Sequence, residues 1–233
     1  MKKWLKKVGA GIVLPAMLAL TACGGFTARL EDVPQYEDAE PFRFVAYMGP
    51  PPANSGSGEF ATNPDYMTLE NYQIMADCGF NYTTGMYENT KELYLKGLDL
   101  AQQVGMKYYV RDYSFTDGCI EGIIAAANSE EEAQAMLEQQ QESIKARFEE
   151  YSEYESFAGV LAVDEPAAAR YPAIKVMNAW YEENFPETEF QVNLLPTYAS
   201  LNQLFGTADT DKTYKDDYVG YFNEYVDTAV LSY

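Results

Sequence analysis

The sequence predicts an α/β fold built on a parallel sheet. Three observations lead there. Short apolar runs recur from residue 42 onward, a helical pattern separates each run from the next, and the residues just past the runs are repeatedly polar or aromatic.

The elements follow in order. "FRFVAYMG" (42–49) is apolar and aromatic until glycine and proline break it, and reads as the first strand. "TLENYQIMADCG" (68–79) sets Leu69, Tyr72, Ile74 and Met75 at helical spacing and ends on glycine. "FNYTTGMY" (80–87) is the second strand. "NTKELYLKGLDLAQQVG" (89–105) is an amphipathic helix, with Asn89 as N-cap and Gly105 as stop. "MKYYVRDYS" (106–114) is the third strand. A glycine-containing loop leads to a long polar helix over 128–154, whose acids crowd the first turn and complement the helix dipole. "FAGVLAVDE" (157–165) is the fourth strand. Residues 167–186 are mostly helical, with an early interruption at Pro172. "FQVNLLP" (190–196) is a strand, 214–228 a helix, and "AVLSY" (229–233) begins a sixth strand.

Two parallel architectures compete. A doubly wound sheet places a ligand loop at its first turn, but "GPPPANSGSGEF" (49–60) contains neither a dinucleotide-binding nor a phosphate-binding glycine pattern. A TIM-type (β/α)8 barrel gathers functional groups at the C-terminal ends of many strands. Here those ends carry Tyr47, Tyr87-Glu88, Arg111-Asp112-Tyr113, Asp164-Glu165 and Asn193. The barrel is the expectation. A complete barrel takes ~250 residues, and about 190 follow residue 41. The expected form is thus an incomplete barrel of about six βα units over 42–233, its last strands missing and its C-terminus truncated.

The N-terminus has its own reading. Lys2, Lys3, Lys6 and Lys7 precede an apolar stretch too short to span a bilayer, the pattern of a secretory signal over 1–22. Leu20-Thr21-Ala22-Cys23 resembles the bacterial lipobox, which implies cleavage before Cys23 and lipidation of its thiol, hence anchoring to the envelope membrane. Residues 23–41 then read as a tether. The formal charge is −20, and removing residues 1–22 takes away four lysines and no acid. Such a surface repels phosphates, so no nucleic-acid partner is expected. Cys78 and Cys119 form no disulfide framework, and Cys78 is expected to be buried and free. Without any histidine, catalytic triads and histidine-based zinc sites are excluded. No calcium-loop spacing is present either, so neither metal nor cofactor is expected. Acid–base chemistry falls to carboxylates, tyrosine or lysine.

The carboxylates that stand out are Asp164 and Glu165, where "GVLAVDEP" turns from apolar strand to proline. Adjacent strand residues point to opposite sides, so Glu165 can project over the barrel mouth while Asp164 anchors it or touches a substrate hydroxyl. The alternative is that one of them only caps the following helix. With "VNLLPTYAS" and "YVDTAVLSY" downstream, this stretch resembles glycoside-hydrolase-like (β/α)8 barrel proteins of bacterial envelopes, over residues 157–233. The resemblance implies Glu165 as general acid/base. In the large clan of such hydrolases the preceding residue is asparagine and the nucleophile follows strand seven; here the preceding residue is Asp164 and the chain does not reach strand seven. An Asp-Glu pair is also the arrangement of substrate-assisted N-acetylhexosaminidases, where the aspartate orients the substrate's acetamido group. Either scheme needs the acid protonated near neutral pH, through burial or a neighbouring carboxylate. Asp112 and Glu88 are the other strand-end acids placed to enter the mouth.

Sugars present an apolar face to aromatic rings, and this chain has 20 tyrosines. Tyr47, Tyr87, Tyr113 and Tyr198 lie at or past strand ends, so these four, with Arg111, Asp112 and Asn193, are candidate carbohydrate contacts. Core packing of the rings, a local Arg111–Asp112 ion pair and backbone satisfaction by Asn193 are the plain alternatives. Three functions remain open: a cell-surface glycosidase, a non-catalytic carbohydrate-binding lipoprotein on an incomplete barrel, and a lyase or isomerase acting on acidic sugars, which the negative charge disfavours.

Overall fold

The computed structural model describes residues 42–55, 62–225 and 230–232. The signal segment, the tether and Cys23 lie outside them. Six parallel strands pair in chain order: β1 (Val45–Ala46), β2 (Tyr82–Thr84), β3 (Lys107–Val110), β4 (Phe157–Asp164), β5 (Glu189–Asn193) and β6 (Val230–Ser232). A doubly wound sheet reverses its strand order partway; this one never does.

The sheet also curls. Neighbouring strands sit about 4.8 Å apart, so β1 and β5 in a flat sheet stand about 19 Å apart. Yet Arg43, two residues before β1, reaches Glu189 of β5 at 2.5 Å, and Asn193 Nδ2 donates to the Tyr47 hydroxyl at 3.0 Å. No flat sheet allows both contacts. The result is an α/β fold with a curled, singly wound parallel sheet, broadly compatible with an incomplete barrel.

Seven α-helices belong to the described residues: α1 (Leu69–Asp77), α2 (Lys91–Gln103), α3 (Ile120–Ala126), α4 (Glu130–Tyr151), α5 (Tyr171–Asn184), α6 (Leu201–Phe205) and α7 (Gly220–Tyr225). Hydroxyl side chains start several of them. Thr68, Thr90, Ser129 and Ser200 each accept a backbone N–H of the first turn. Among the described residues no helix is long and apolar enough to cross a membrane.

Several expectations change. The cap of α2 is Thr90, not Asn89, because its hydroxyl reaches the Leu93 N–H. Pro172 does not interrupt a helix; it occupies the first turn of α5, where a missing N–H is harmless. The loop after β3 contains α3, whose N-terminus is held by the Asp112 carboxylate accepting from Ile120 N–H at 2.8 Å. Cys78 is exposed, since it ends α1 on the solvent side, whereas Cys119 is buried.

The two faces of the sheet differ. The outer face carries the apolar core, where Val110, Phe157, Val160, Ala162 and Val192 meet the helices. Phe148 of α4 sits among the rings of Tyr151, Phe157, Tyr181 and Phe185, with centroids 5.5–6.0 Å away. One ion pair lies inside this layer. Arg147 bonds Asp112 at 2.9 Å, with the two side chains 6% and 0% exposed. Burial pushes the Asp112 carboxyl up to about 6 against the pull of Arg147. Its ordinary value is about 3.9, so this group's contribution to stability falls as pH rises from about 4 to 6.

The inner face is polar and layered. Arg43 lies 5.2 Å over the Tyr82 ring, Tyr82 stacks on Tyr109 at 5.8 Å, and the Tyr109 hydroxyl and Arg43 both bond Glu189. Leu161 and Gln191, paired across β4 and β5, form the next level. Tyr47, Arg111, Asp164 and Asn193 form the level at the strand ends.

Strand β4 is irregular against both neighbours. With β3 the register shifts between Tyr108 and Tyr109, and with β5 between Leu161 and Val163. Gly159 lies between these shifts at φ +139°, and a Cβ there would stand 2.0 Å from the Glu189 carbonyl oxygen. Gly159→Ala therefore combines backbone strain with a backbone clash and is expected to lower stability by about 3 kcal/mol or more; a urea midpoint within error of wild type counts against this account. Asp112→Ala strands Arg147 in the core and is expected to cost about 3–5 kcal/mol, while Asp112→Leu combined with Arg147→Met loses less. Urea denaturation of the three proteins distinguishes these cases.

Candidate functional site

The site begins with the β4 irregularity. Leu161 pairs with Gln191 and Asp164 with Asn193, so four residues of β4 oppose three of β5. Alternation from Leu161 would put Val163 inside and Asp164 outside. The extra residue reverses that, and Asp164 points inward beside Asn193.

Asp164 is closely held. Its Oδ1 accepts from Asn193 Nδ2 at 2.8 Å and from the Tyr47 hydroxyl, and its Oδ2 lies 3.9 Å from Arg111 Nη1. Burial, then the bond to Asp164, pushes the Tyr47 phenol up, so it remains a donor. Arg111 is gripped by Glu121, which accepts from Nε and Nη2 at 2.7 Å each. Burial alone would lower the Arg111 value, but the Glu121 contact outweighs it and the guanidinium stays charged. The same guanidinium lies 5.0 Å over the Tyr113 ring.

Glu165 follows in the left-handed region, at φ +51°. Its N–H donates to the Asn193 carbonyl at 2.8 Å, which fixes the backbone, while the residue is exposed. A non-glycine residue there costs about 1–2 kcal/mol. The next peptide is also fixed: the buried Tyr218 hydroxyl donates to Pro166 O at 2.6 Å and accepts Leu195 N–H at 3.1 Å, tying the β4 and β5 loops together. Neither acid caps the following helical segment, because the short 3-10 turn Ala168–Arg170 has Ala167 at its N-cap and α5 has Arg170, each without a side-chain cap.

Beside these groups opens a cavity of about 510 Å³. Glu165, Gln191 and Asn193 provide its polar side. Val45, Leu194, Pro196 and the rings of Tyr47 and Tyr198 provide the apolar side. Mixed walls of this kind suit a small ligand with both apolar and hydroxylated faces.

The structure brings Tyr47, Arg111, Asp164 and Asn193 into one cluster and puts Glu165 and Tyr198 on the cavity wall. Tyr198 is 88% exposed and forms the rim. Tyr87 is half-buried and directs its hydroxyl to Met48 Sδ at 3.4 Å, away from that wall. Asp112 is taken up by Arg147 and α3 behind the sheet, so it does not contact the pocket. Glu88 does not enter the mouth either: it is 2% exposed, accepts from the Tyr108 hydroxyl at 2.7 Å, and burial raises its carboxyl. The burial expected around Glu165 is not supplied by the described residues.

Two participants escape the sequence reading, Glu121 and Gln191. The polar-apolar alternation of "EFQVN" was the available signal for Gln191, since it marks a strand with a polar inner face. For Glu121 no local signal exists. Among the described residues no group of three or more metal-ligating side chains occurs.

Relief of the left-handed backbone gives a direct test of strain at the site. Glu165→Gly is expected to raise stability by about 1 kcal/mol. A thermal midpoint at or below that of wild type means the conformation is not strained.

With the geometry in hand, comparison offers no relative: no family model, no curated protein and no solved structure matches this chain.

Proposed function

We propose that this chain is an exported lipoprotein, anchored through Cys23, whose TIM-type barrel hydrolyses glycosidic bonds of a surface glycan with Glu165 as general acid/base. The observation that carries this reading is the division of labour at the end of β4. Asp164 is turned inward and held by Tyr47, Asn193 and Arg111, while Glu165, with no side-chain hydrogen bond or ion pair among the described residues, lies on the wall of a cavity flanked by tyrosines. A fixed acceptor beside an unpartnered carboxyl is what glycoside cleavage asks of two neighbouring carboxyls: one to orient a substrate group, one to protonate the leaving oxygen. A sugar filling the cavity would exclude water from Glu165.

A second reading has its own support. Glu165 is the one carboxylate on the cavity wall among the described residues, so no nucleophile faces it there. A non-catalytic carbohydrate-binding lipoprotein needs none.

The deciding experiment uses the full-length protein on a panel of neutral glycans. Reducing-end release from the best substrate is expected to fall about 10²–10⁴-fold in Glu165→Gln. Unchanged turnover removes Glu165 from the chemistry. Glycan binding without release of reducing ends, equal in wild type and Glu165→Gln, selects the binding protein.

A further inference from the structure

Strand β5 presents three polar side chains to the inner face: Glu189, Gln191 and Asn193. Two are fully engaged. Glu189 is bonded by Arg43 and by the Tyr109 hydroxyl, and Asn193 donates to Asp164 and Tyr47. The middle one is not. Gln191 is 5% exposed, and its Oε1 is buried with no hydrogen-bond partner among the described residues. It is also the one of the three that lines the cavity without being bonded to a neighbouring side chain. A buried amide acceptor without a partner is uncommon and destabilising, and an apolar residue at this position would avoid the penalty.

We infer that Gln191 is a ligand-binding residue on the cavity wall, and that its partner is a hydroxyl or N–H of an uncharged glycosyl residue. This rests on the glycan reading above and adds the substrate class. The position follows from strand geometry: Gln191 lies about 7 Å below Asn193 along β5, so a ring lying beneath Tyr47 and Asn193 reaches the amide. The lack of charge follows from the walls. Glu165 is the one charged residue lining the cavity, and the inward arginines already face carboxylates, Arg43 with Glu189 and Arg111 with Glu121. An acidic sugar would meet a carboxylate and find both guanidiniums occupied.

The test measures binding of glucose, galactose, N-acetylglucosamine and glucuronate to the full-length protein by titration calorimetry, with Gln191→Leu and Gln191→Met beside wild type. At least one neutral sugar is expected to bind, roughly tenfold more weakly in Gln191→Leu, while the thermal midpoint of that ligand-free variant rises. A residue with a purely structural role moves the midpoint the other way. Equal affinity in wild type and Gln191→Leu, or a lowered midpoint in both variants, overturns the inference. So does tighter binding of glucuronate than of any neutral sugar. Should Gln191→Leu misfold, Gln191→Met carries the same comparison. Loss of turnover in Glu165→Gln with unchanged sugar affinity in Gln191→Leu overturns the inference and leaves the glycan reading standing. No binding of any of the four sugars, together with no turnover, removes both.

Discussion

The extra residue in β4 is the constraint on which the rest of the site depends. A parallel strand buried on both faces has no freedom to choose which residue ends up inside, because alternation is fixed by the pleat. Inserting one residue between Leu161 and Asp164 is the least disruptive way to exchange faces, and it does so at the last step before the loop. Asp164 thereby enters the interior while the apolar residues behind it keep their contacts with the helices. The consequences appear on both sides. Gly159 must omit a side chain where β4 meets Glu189, and Glu165 must adopt a left-handed backbone. Tyr218 then holds the next peptide from behind, through Pro166 and Leu195. Strain at one residue persists only where its surroundings fix it, and here they do so with named hydrogen bonds.

A polar interior needs partners, and the chain provides them sparingly. Its formal charge is strongly negative, yet it places arginine inside: Arg111 on the inner face and Arg147 behind the sheet, each against a carboxylate, while the exposed Arg43 bonds Glu189. Guanidinium geometry suits this use, since a planar fork matches a carboxylate and stacks on rings. Arg111 shows both, bonded twice to Glu121 and lying over Tyr113. Buried pairs of this kind contribute little net stability. Their effect is to fix positions: Arg111 can lie near Asp164 without collapsing onto it because Glu121 already holds it.

How much of this was legible in the sequence depends on how local the signal is. Strand and helix alternation gave the α/β class and the parallel sheet, because each element carries its own pattern. Thr90 and Pro172 were misread by a residue or a role, since cap choice turns on which hydroxyl reaches an N–H. Helix α3 was missed because "IEGIIAA" is short and contains glycine, and its start depends on Asp112 from the preceding strand end. The pair Asp164-Glu165 was legible as chemistry. Its orientation was not, because "GVLAV" is apolar throughout and carries no alternation from which to read a register shift. The Arg111–Glu121 and Asp112–Arg147 pairings were likewise hidden, the second because 35 residues separate its partners.

The site sets stability against use at two neighbouring positions. Glu165 holds a backbone conformation that glycine would adopt more readily, and Gln191 buries an acceptor that leucine would remove. Neither is needed by the fold: the Glu165 side chain is exposed, and β5 already has Phe190 and Val192 facing the core. Around them on the inner face of the sheet the polar groups are matched, as the Arg43, Arg111 and Asn193 contacts illustrate. Two unfavourable features, both facing one cavity and both bearing hydrogen-bonding groups, are what a binding site leaves when its partner is a ligand rather than another residue. On that view Asp164, Tyr47 and Asn193 form the rigid part of the site, and Glu165 and Gln191 are the groups left for the ligand to complete.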